Sequence, residues 1–299
     1  MWCIHLFNYL RVLIWREKIS RFKCWYAKRI ITVSLPTVLY SGFIMIVLWA
    51  LGESISITSI IAYLLDVEGL KFLSQYLSCW FSAIPDLGSL WFTTVIMLCY
   101  LLVPLLQRIV SRTDDLKLFV ILLSTAGIVV SALLFNFLVL AYFLLFAVGY
   151  CLGKLQFLTK ITAPVMIVIS FLFLMSLLGR FLLQKSFDDS DLYYQYVFFS
   201  HSIVGGEFIV LVAFINKRFP TIIAKITELG IIKKIENYSF FVYIVHYCFC
   251  NGRLNVYNSY PVYVATVLFV LYTFIASVVL KHIAELVQKP LLKCLNITR

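Results

Sequence analysis

The chain has 299 residues, of which 63% are hydrophobic, 17% aromatic and only 13% charged. A soluble domain usually has about 45–50% apolar and about 25% charged residues, so this composition excludes an ordinary water-soluble fold and indicates a protein that lies in a lipid bilayer. The formal net charge of +11 would suggest nucleic acid in a soluble protein. Here the basic residues lie between apolar stretches, and we expect no nucleic-acid partner.

Eight apolar stretches approach the length of about 20 helical residues that a bilayer core requires. They are continuous rather than alternating, which is typical of membrane helices. The sequence therefore predicts an all-α fold, a polytopic transmembrane helical bundle. The stretches span roughly residues 34–51, 89–107, 117–136, 137–153, 163–183, 197–216, 237–252 and 261–281.

The placement of basic residues predicts the topology. If the intervals between spans alternate from inside to outside, starting inside, all but four of the 25 Lys and Arg residues fall on the inside. Cytoplasmic loops carry such an excess, so both termini should be cytoplasmic. The predicted layout is a basic cytoplasmic segment at 1–33, a transmembrane domain at 34–282 and a cytoplasmic tail at 283–299. The outside exceptions are Lys71, Arg180, Lys185 and Arg253.

Prolines and aromatic residues mark the ends of the early spans. The first span is expected to begin near Pro36, since proline is well tolerated in a first helical turn. The second begins at Trp91, where an aromatic residue suits the membrane surface, and is expected to end at Pro104.

Polar residues mark two later spans. The sixth, VFFSHSIVGGEFIVLVAFI, contains His201 and Glu207, and the seventh, NYSFFVYIVHYCFCNG, contains His246. Ionisable residues inside a span are costly and indicate a functional site. The spacing of Cys248 and Cys250 is not that of a zinc site, and we expect neither a metal nor a disulfide framework.

Four segments, taken in order, resemble the acyltransferase 3 family of bacterial membrane enzymes, many of which O-acetylate cell-surface polysaccharides. The nearest branch is that of O-antigen and exopolysaccharide O-acetyltransferases. The resemblance extends over nearly the whole chain. The segments are YAKRIITVSLP at 26–36, SLWFTTVIMLCYLLVPLL at 89–106, FLLFAVGYCLGK at 143–154 and ENYSFFVYIVH at 236–246.

The resemblance implies a membrane O-acyltransferase of the bacterial inner membrane. It would transfer an acyl group, expected to be acetyl, from acetyl-CoA to a hydroxyl of a cell-surface or lipid-linked polysaccharide. Acyl-CoA would be a substrate, and no tightly bound cofactor is expected. The alternatives are a carbohydrate transporter or flippase whose polar sixth span lines a path, and a polysaccharide polymerase.

The chain departs from the family at its start. Family members usually have two further helices there, the first of which carries a basic residue and a histidine thought to be catalytic. No pair in this sequence matches them. We therefore expect a shortened form that transfers acyl groups poorly by itself.

Five residues are candidates for the site. His246 would be the general base, because an imidazole with a pKa near 6.5 suits that role; the alternative is an interhelical hydrogen bond. Glu207 would line the acceptor cavity as a second catalytic residue, or else pair with Arg180. Lys28 and Arg29 would bind acyl-CoA phosphates, although topology alone also explains basic residues there. Trp91 would stack on a sugar ring, or else anchor its helix at the membrane surface. We expect His246 and the basic pair to lie a bilayer's thickness apart.

The topology gives the first testable prediction. Reporter fusions at Asp189 and Lys225 should report opposite sides of the membrane, with Asp189 outside, because the charge distribution places a single span between them. Alkaline phosphatase and fluorescent-protein fusions at both positions measure this. The same side for both would contradict the eight-span topology.

Overall fold

A computed structural model describes residues 22–72, 84–133, 138–155, 162–187, 210–212 and 214–295. These residues form helices and loops, with no strand among them. The predicted all-α fold class is therefore confirmed. His201 and Glu207 lie outside the described residues.

The α-helices are numbered in chain order. The helices are α1 Phe22–Arg29, α2 Leu35–Ala50, α3 Ile57–Leu64, α4 Trp91–Arg112, α5 Leu116–Leu133, α6 Leu138–Lys154, α7 Ala163–Phe187, α8 Pro220–Glu228, α9 Gly230–Cys250 and α10 Val262–Cys294. A π-helical turn at Ile30–Ser34 joins α1 to α2, and 3-10 turns lie at Glu68–Phe72, Pro85–Leu87 and Val256–Asn258.

Three of the described helices are long and apolar enough to cross a membrane. They are Cys24–Ala50, Trp91–Arg112 and Val262–Cys294. Shorter apolar helical stretches lie at Leu116–Gly127 and Ala163–Gly179. These helices support membrane localisation. The count of eight spans and the side of each terminus stay predictions.

The chain divides into two compact units. One comprises Met1–Lys18 and Leu102–Thr227, and within it α5 packs along α6. The other comprises Ile19–Leu101 and Glu228–Arg299, and we call it the site unit. It contains every candidate site residue that the structure describes.

One predicted helix start is confirmed in part, and one predicted helix end is wrong. The α-helix α2 begins at Leu35 with Pro36 in its first turn, as predicted, but it continues without a break from α1 through the π-helical turn. Proline lacks an N–H and crowds the carbonyl group four residues earlier, and the wide π turn provides room for it. Pro104 likewise lies inside α4 rather than ending it. In lipid a helix that stopped there would leave backbone groups without hydrogen bonds.

The core of the site unit fixes α9 against α2 and α10. Buried Ile244 and Val245 of α9 belong to one apolar cluster with Tyr40 of α2 and Leu280 of α10. The Tyr40 hydroxyl also donates a hydrogen bond to the Val245 carbonyl oxygen at 3.2 Å. This contact holds α9 at the residue next to His246.

Two acidic side chains are buried in the segment that follows α3. Asp66 is 5% exposed and Glu68 is 1% exposed. The Thr93 hydroxyl donates to Asp66 Oδ1 at 2.7 Å, and the Thr94 hydroxyl lies 3.4 Å from both Asp66 Oδ1 and Glu68 Oε2. The start of α4 therefore anchors this segment through two adjacent threonines.

Close backbone packing reinforces this anchor at Gly69. The Gly69 N–H donates to the Thr94 hydroxyl oxygen at 3.2 Å. A Cβ atom at Gly69 would lie 2.5 Å from the Trp91 carbonyl oxygen, which is too close for any larger residue. Glycine is therefore required for the segment to reach α4.

The pKa of Asp66 is higher than that of an ordinary aspartate. It lies between the predicted spans, and burial raises its pKa to about 6, against the opposing effect of hydrogen bonds from Thr93, Ser34 and Thr94. Desolvation penalises the charged form of a buried carboxyl group. Asp66 therefore holds its proton over a wider pH range in the folded protein than in the unfolded chain.

This pKa gives a stability prediction for Asp66→Asn. Between pH 4 and 6 the folded protein holds a proton that the unfolded chain releases, so the free energy of unfolding should fall as pH rises through that window, by about 3 kcal/mol in all. Asparagine cannot ionise and still accepts the Thr93 hydrogen bond. Thermal unfolding in detergent should show the variant more stable than the parent at pH 7.5 and lacking this pH-dependent fall.

The matched control is Asp114→Asn, which removes an exposed carboxylate. It should leave the parental pH dependence unchanged. An Asp66→Asn variant whose melting temperature follows the parental pH curve would contradict the assignment.

Candidate functional site

His246 lies half-buried on the last turn but one of α9. Its Nδ1 lies 2.7 Å from the Tyr243 carbonyl oxygen. A carbonyl oxygen only accepts, so Nδ1 carries the hydrogen, and in the neutral ring Nε2 carries the lone pair. The backbone of α9 thus selects the tautomer that a general base needs at Nε2.

Two tyrosine rings of the same helix lie close to this imidazole. The ring centroids of Tyr243 and Tyr247 lie 5.8 and 6.1 Å from that of His246. Tyr243 in turn donates its hydroxyl hydrogen to the Ser89 carbonyl oxygen and packs its ring against Phe92 at 5.4 Å. The start of α4 therefore supports the face of α9 that carries His246.

Tyr247 packs closely against Gly88, in the turn before α4. A Cβ atom at Gly88 would lie 2.6 Å from a ring carbon of Tyr247, so the ring packs directly over the glycine backbone. The glycine ending of the 85–88 turn, visible in the sequence as Pro85-Asp86 and Gly88, thus serves packing against α9.

Trp91 is the first residue of α4 and is half-buried. Its ring contacts Phe92 edge-on at 5.9 Å. Trp91 and the His246 face are therefore linked through Phe92 and Tyr243. Whether the indole stacks on a sugar stays a prediction.

Arg29 lies near the beginning of the long first helix, Cys24–Ala50, and is 6% exposed. Its guanidinium carbon lies 5.3 Å from the Trp25 ring centroid and 5.5 Å from that of Tyr100. The Tyr26 hydroxyl donates to the Tyr100 carbonyl oxygen at 2.9 Å and ties α1 to α4. We call Trp25, Arg29 and Tyr100 the arginine cage. Lys28, the other predicted basic residue, is half-buried beside it.

Arg29 is the charged member of the arginine cage. Among the described residues no acidic side chain forms an ion pair with Arg29, and its buried Nε–H has no hydrogen-bond acceptor. A cation–π contact contributes about 2 kcal/mol when desolvated, whereas burying an unpaired charge costs several kcal/mol. Arginine cannot lower this cost by deprotonating. The guanidinium has the donors that bind an anion, and the binding of acyl-CoA phosphates here stays a prediction.

The long first helix connects Arg29 with the backbone beside His246. Tyr40 lies near the middle of this helix, a rise of roughly 16 Å after Arg29 at 1.5 Å per residue, and contacts the backbone next to His246. The separation of His246 from the basic pair by a bilayer's thickness, about 30 Å, stays a prediction.

Sequence reasoning did not identify the contacts that these candidate residues make. Trp25 precedes Arg29 by four positions, a spacing that brings helical side chains together, and this signal was available. Tyr100 is distant in sequence and gave none. Asp66 and Glu68 fall in a loop that was expected to lie outside the bundle, where acidic residues are ordinary.

The chain was also compared with known proteins. A family model for the acyltransferase domain, that of the acyltransferase 3 family, matches residues 12–282. No curated protein and no solved structure matches the chain. The family match includes the arginine cage, the start of α4 and His246, and the chain therefore belongs to the acyltransferase 3 family.

Proposed function

We propose that this membrane acyltransferase is an O-acetyltransferase of a bacterial inner membrane. It takes an acetyl group from acetyl-CoA on the cytoplasmic side and transfers it to a hydroxyl of a cell-surface or lipid-linked polysaccharide. Family membership supports acyl transfer. The observation that carries the CoA donor is the buried arginine cage, which lacks an acidic partner among the described residues.

The arginine cage suits the phosphates of CoA. The guanidinium of Arg29 offers a planar fork of donors to phosphate oxygens, and the two rings fix its orientation. Lys28 adds a second positive charge without a fixed direction. The pantetheine arm of CoA separates its thioester from its phosphates, so phosphates bound at Arg29 leave the acetyl group free to extend toward His246.

The transfer step assigns His246 as the general base. The acceptor hydroxyl attacks the thioester carbonyl carbon, its proton passes to Nε2 of His246, the new C–O bond forms and the C–S bond breaks. The CoA thiolate then leaves and takes up the proton. The hydrogen bond from Nδ1 to the Tyr243 carbonyl oxygen keeps the ring in the orientation that this step requires. Glu207 and Trp91 remain proposed contributors on the acceptor side.

Donor binding is tested with Arg29→Gln in the purified 299-residue chain in lipid nanodiscs. We expect the Kd for acetyl-CoA to rise about tenfold, the equivalent of one lost charge-assisted hydrogen bond. The Kd of Arg29→Lys should lie between those of the parent and Arg29→Gln, because lysine keeps the positive charge but lacks the bidentate geometry of arginine. Isothermal titration calorimetry measures the three constants.

The matched control is Arg108→Gln, which removes an exposed arginine from the later part of α4. It should leave the Kd for acetyl-CoA within about twofold of the parent, since surface charges contribute little. Equal weakening by both variants would show that only general positive charge matters and would remove the arginine cage from the site.

Catalysis is tested with His246→Ala in membranes that contain the full chain, labelled acetyl-CoA and surface polysaccharide. The 299-residue chain is expected to transfer label slowly, and loss of a general base should lower that slow transfer about 100-fold, while the Kd for acetyl-CoA stays unchanged. His282→Ala, which removes an exposed histidine of α10, is the control and should transfer label normally. Movement of unlabelled glycan across the membrane without acetylation would favour a flippase instead.

A further inference from the structure

A cavity of about 270 Å³ lies where α2 and α9 end. Its walls come from the loop after α2, the start of α3, the 84–86 turn and the loop after α9, all within the site unit. Six polar residues line it: Glu53, Ser54, Ser56, Ser59, Asp86 and Arg253. Leu48, Ile55 and Ile84 supply apolar wall beside them.

Asp86 is built into the floor of this cavity. It is 3% exposed, and its Oδ1 accepts the Leu254 N–H at 3.0 Å. A Cβ atom at Gly252 would lie 2.4 Å from Asp86 Cγ, and Gly252 has a φ of +82°. Only glycine meets both requirements. The loop after α9 is therefore shaped around this carboxylate.

Two further contacts define the wall and the rim. Ser56 caps α3 by accepting the Ser59 N–H at 3.2 Å, and the two hydroxyl oxygens lie 2.7 Å apart. Glu53 and Arg253 form an ion pair between the loop after α2 and the loop after α9. Both of these side chains are partly exposed, so they present charged, hydrogen-bonding groups at the mouth.

The chemistry of the lining indicates the ligand. Carboxylates accept and guanidinium donates, and serine hydroxyls do both, which suits a molecule rich in hydroxyl groups. Two carboxylates against one guanidinium give a net negative charge, which disfavours an anion. Drug-sized ligands occupy cavities of about 300–1,000 Å³, so this cavity suits a single small ring rather than an oligosaccharide.

We propose that this cavity binds one neutral sugar residue of the acceptor polysaccharide. The inference rests on the proposed function and names the acceptor subsite within it. The helical rise from His246 to the end of α9 at Cys250 is about 6 Å, and the cavity wall begins at Gly252. A sugar in the cavity thus directs the glycan past the end of α9 toward His246.

The test uses the full chain in nanodiscs and a thiol reagent that reacts with Ser54→Cys, a side chain that lines the cavity and is exposed. The probes are the methyl glycosides of a hexose, a 6-deoxyhexose, an N-acetylhexosamine and a hexuronic acid. Mass spectrometry of the peptide that contains residue 54 gives the labelling rate. At about four times its Kd, a bound neutral glycoside should slow labelling about fivefold, because only the unoccupied site reacts.

One control variant tests the labelling reaction, and a pair of charge variants tests the role of the rim. Ser259→Cys, exposed and outside the cavity lining, should be labelled at one rate with and without glycoside. Glu53→Gln removes one negative charge from the rim, so the hexuronide should protect residue 54 better in that background than in the parent. Glu285→Gln breaks an ion-paired carboxylate on α10 instead and should not change protection by any glycoside.

The outcomes separate this inference from the proposed function. Labelling requires no acetyl-CoA, so protection of residue 54 without acetyl transfer would support the sugar subsite and contradict the proposed reaction. Acetyl transfer without protection by any neutral glycoside would leave the reaction in place and overturn the subsite. Equal slowing at residues 54 and 259, or stronger protection by the hexuronide in the parent, would also overturn it.

Discussion

The start of α4 is the contact on which the site unit depends. Within its first residues and the turn before them, Ser89 accepts the Tyr243 hydrogen bond from α9, and Thr93 donates to Asp66. The Trp91 carbonyl oxygen packs against Gly69 in the same place. The start of α4 therefore fixes the position of the face of α9 that carries His246. It also fixes the position of the segment that contains the buried Asp66 and Glu68. Displacing it would disturb both regions together.

Arg29 and Asp66, two of the buried ionisable residues in this unit, meet the cost of burial by different means. Asp66 can take up a proton, and burial raises its pKa to about 6, so it remains neutral over much of the range below that. Arg29 has no such choice, because guanidinium stays charged. Aromatic rings offset only part of its desolvation. The arginine therefore supports the proposed anionic donor, whereas the aspartate supports no ligand.

The sequence predicted helices well because apolar runs long enough for a bilayer have few alternative folds. It misplaced the helix end at Pro104, and it did not anticipate the helix that precedes Pro36. Continuation in lipid and a π turn can both accommodate proline, and neither leaves a signal in composition. His246 was singled out because an ionisable residue is rare inside an apolar span, and Arg29 because a basic pair suits the phosphates of acyl-CoA; their roles stay predictions. Tyr100, Asp66 and Asp86 were not singled out because their contacts join residues far apart in the chain.

The long first helix links the proposed donor and acceptor ends. The arginine cage lies near its beginning, Glu53 follows just beyond its end at Ala50, and Tyr40 in between contacts α9 beside His246. A continuous helix keeps the arginine cage and Tyr40 at a fixed separation, because its backbone hydrogen bonds leave little freedom between them, and Glu53 follows directly after its end. The phosphates and the sugar can then be held apart while only the acetyl group and one hydroxyl meet near the middle. Positioning by a rigid element, rather than closure of a soluble domain, is the way in which this chain would bring its substrates together.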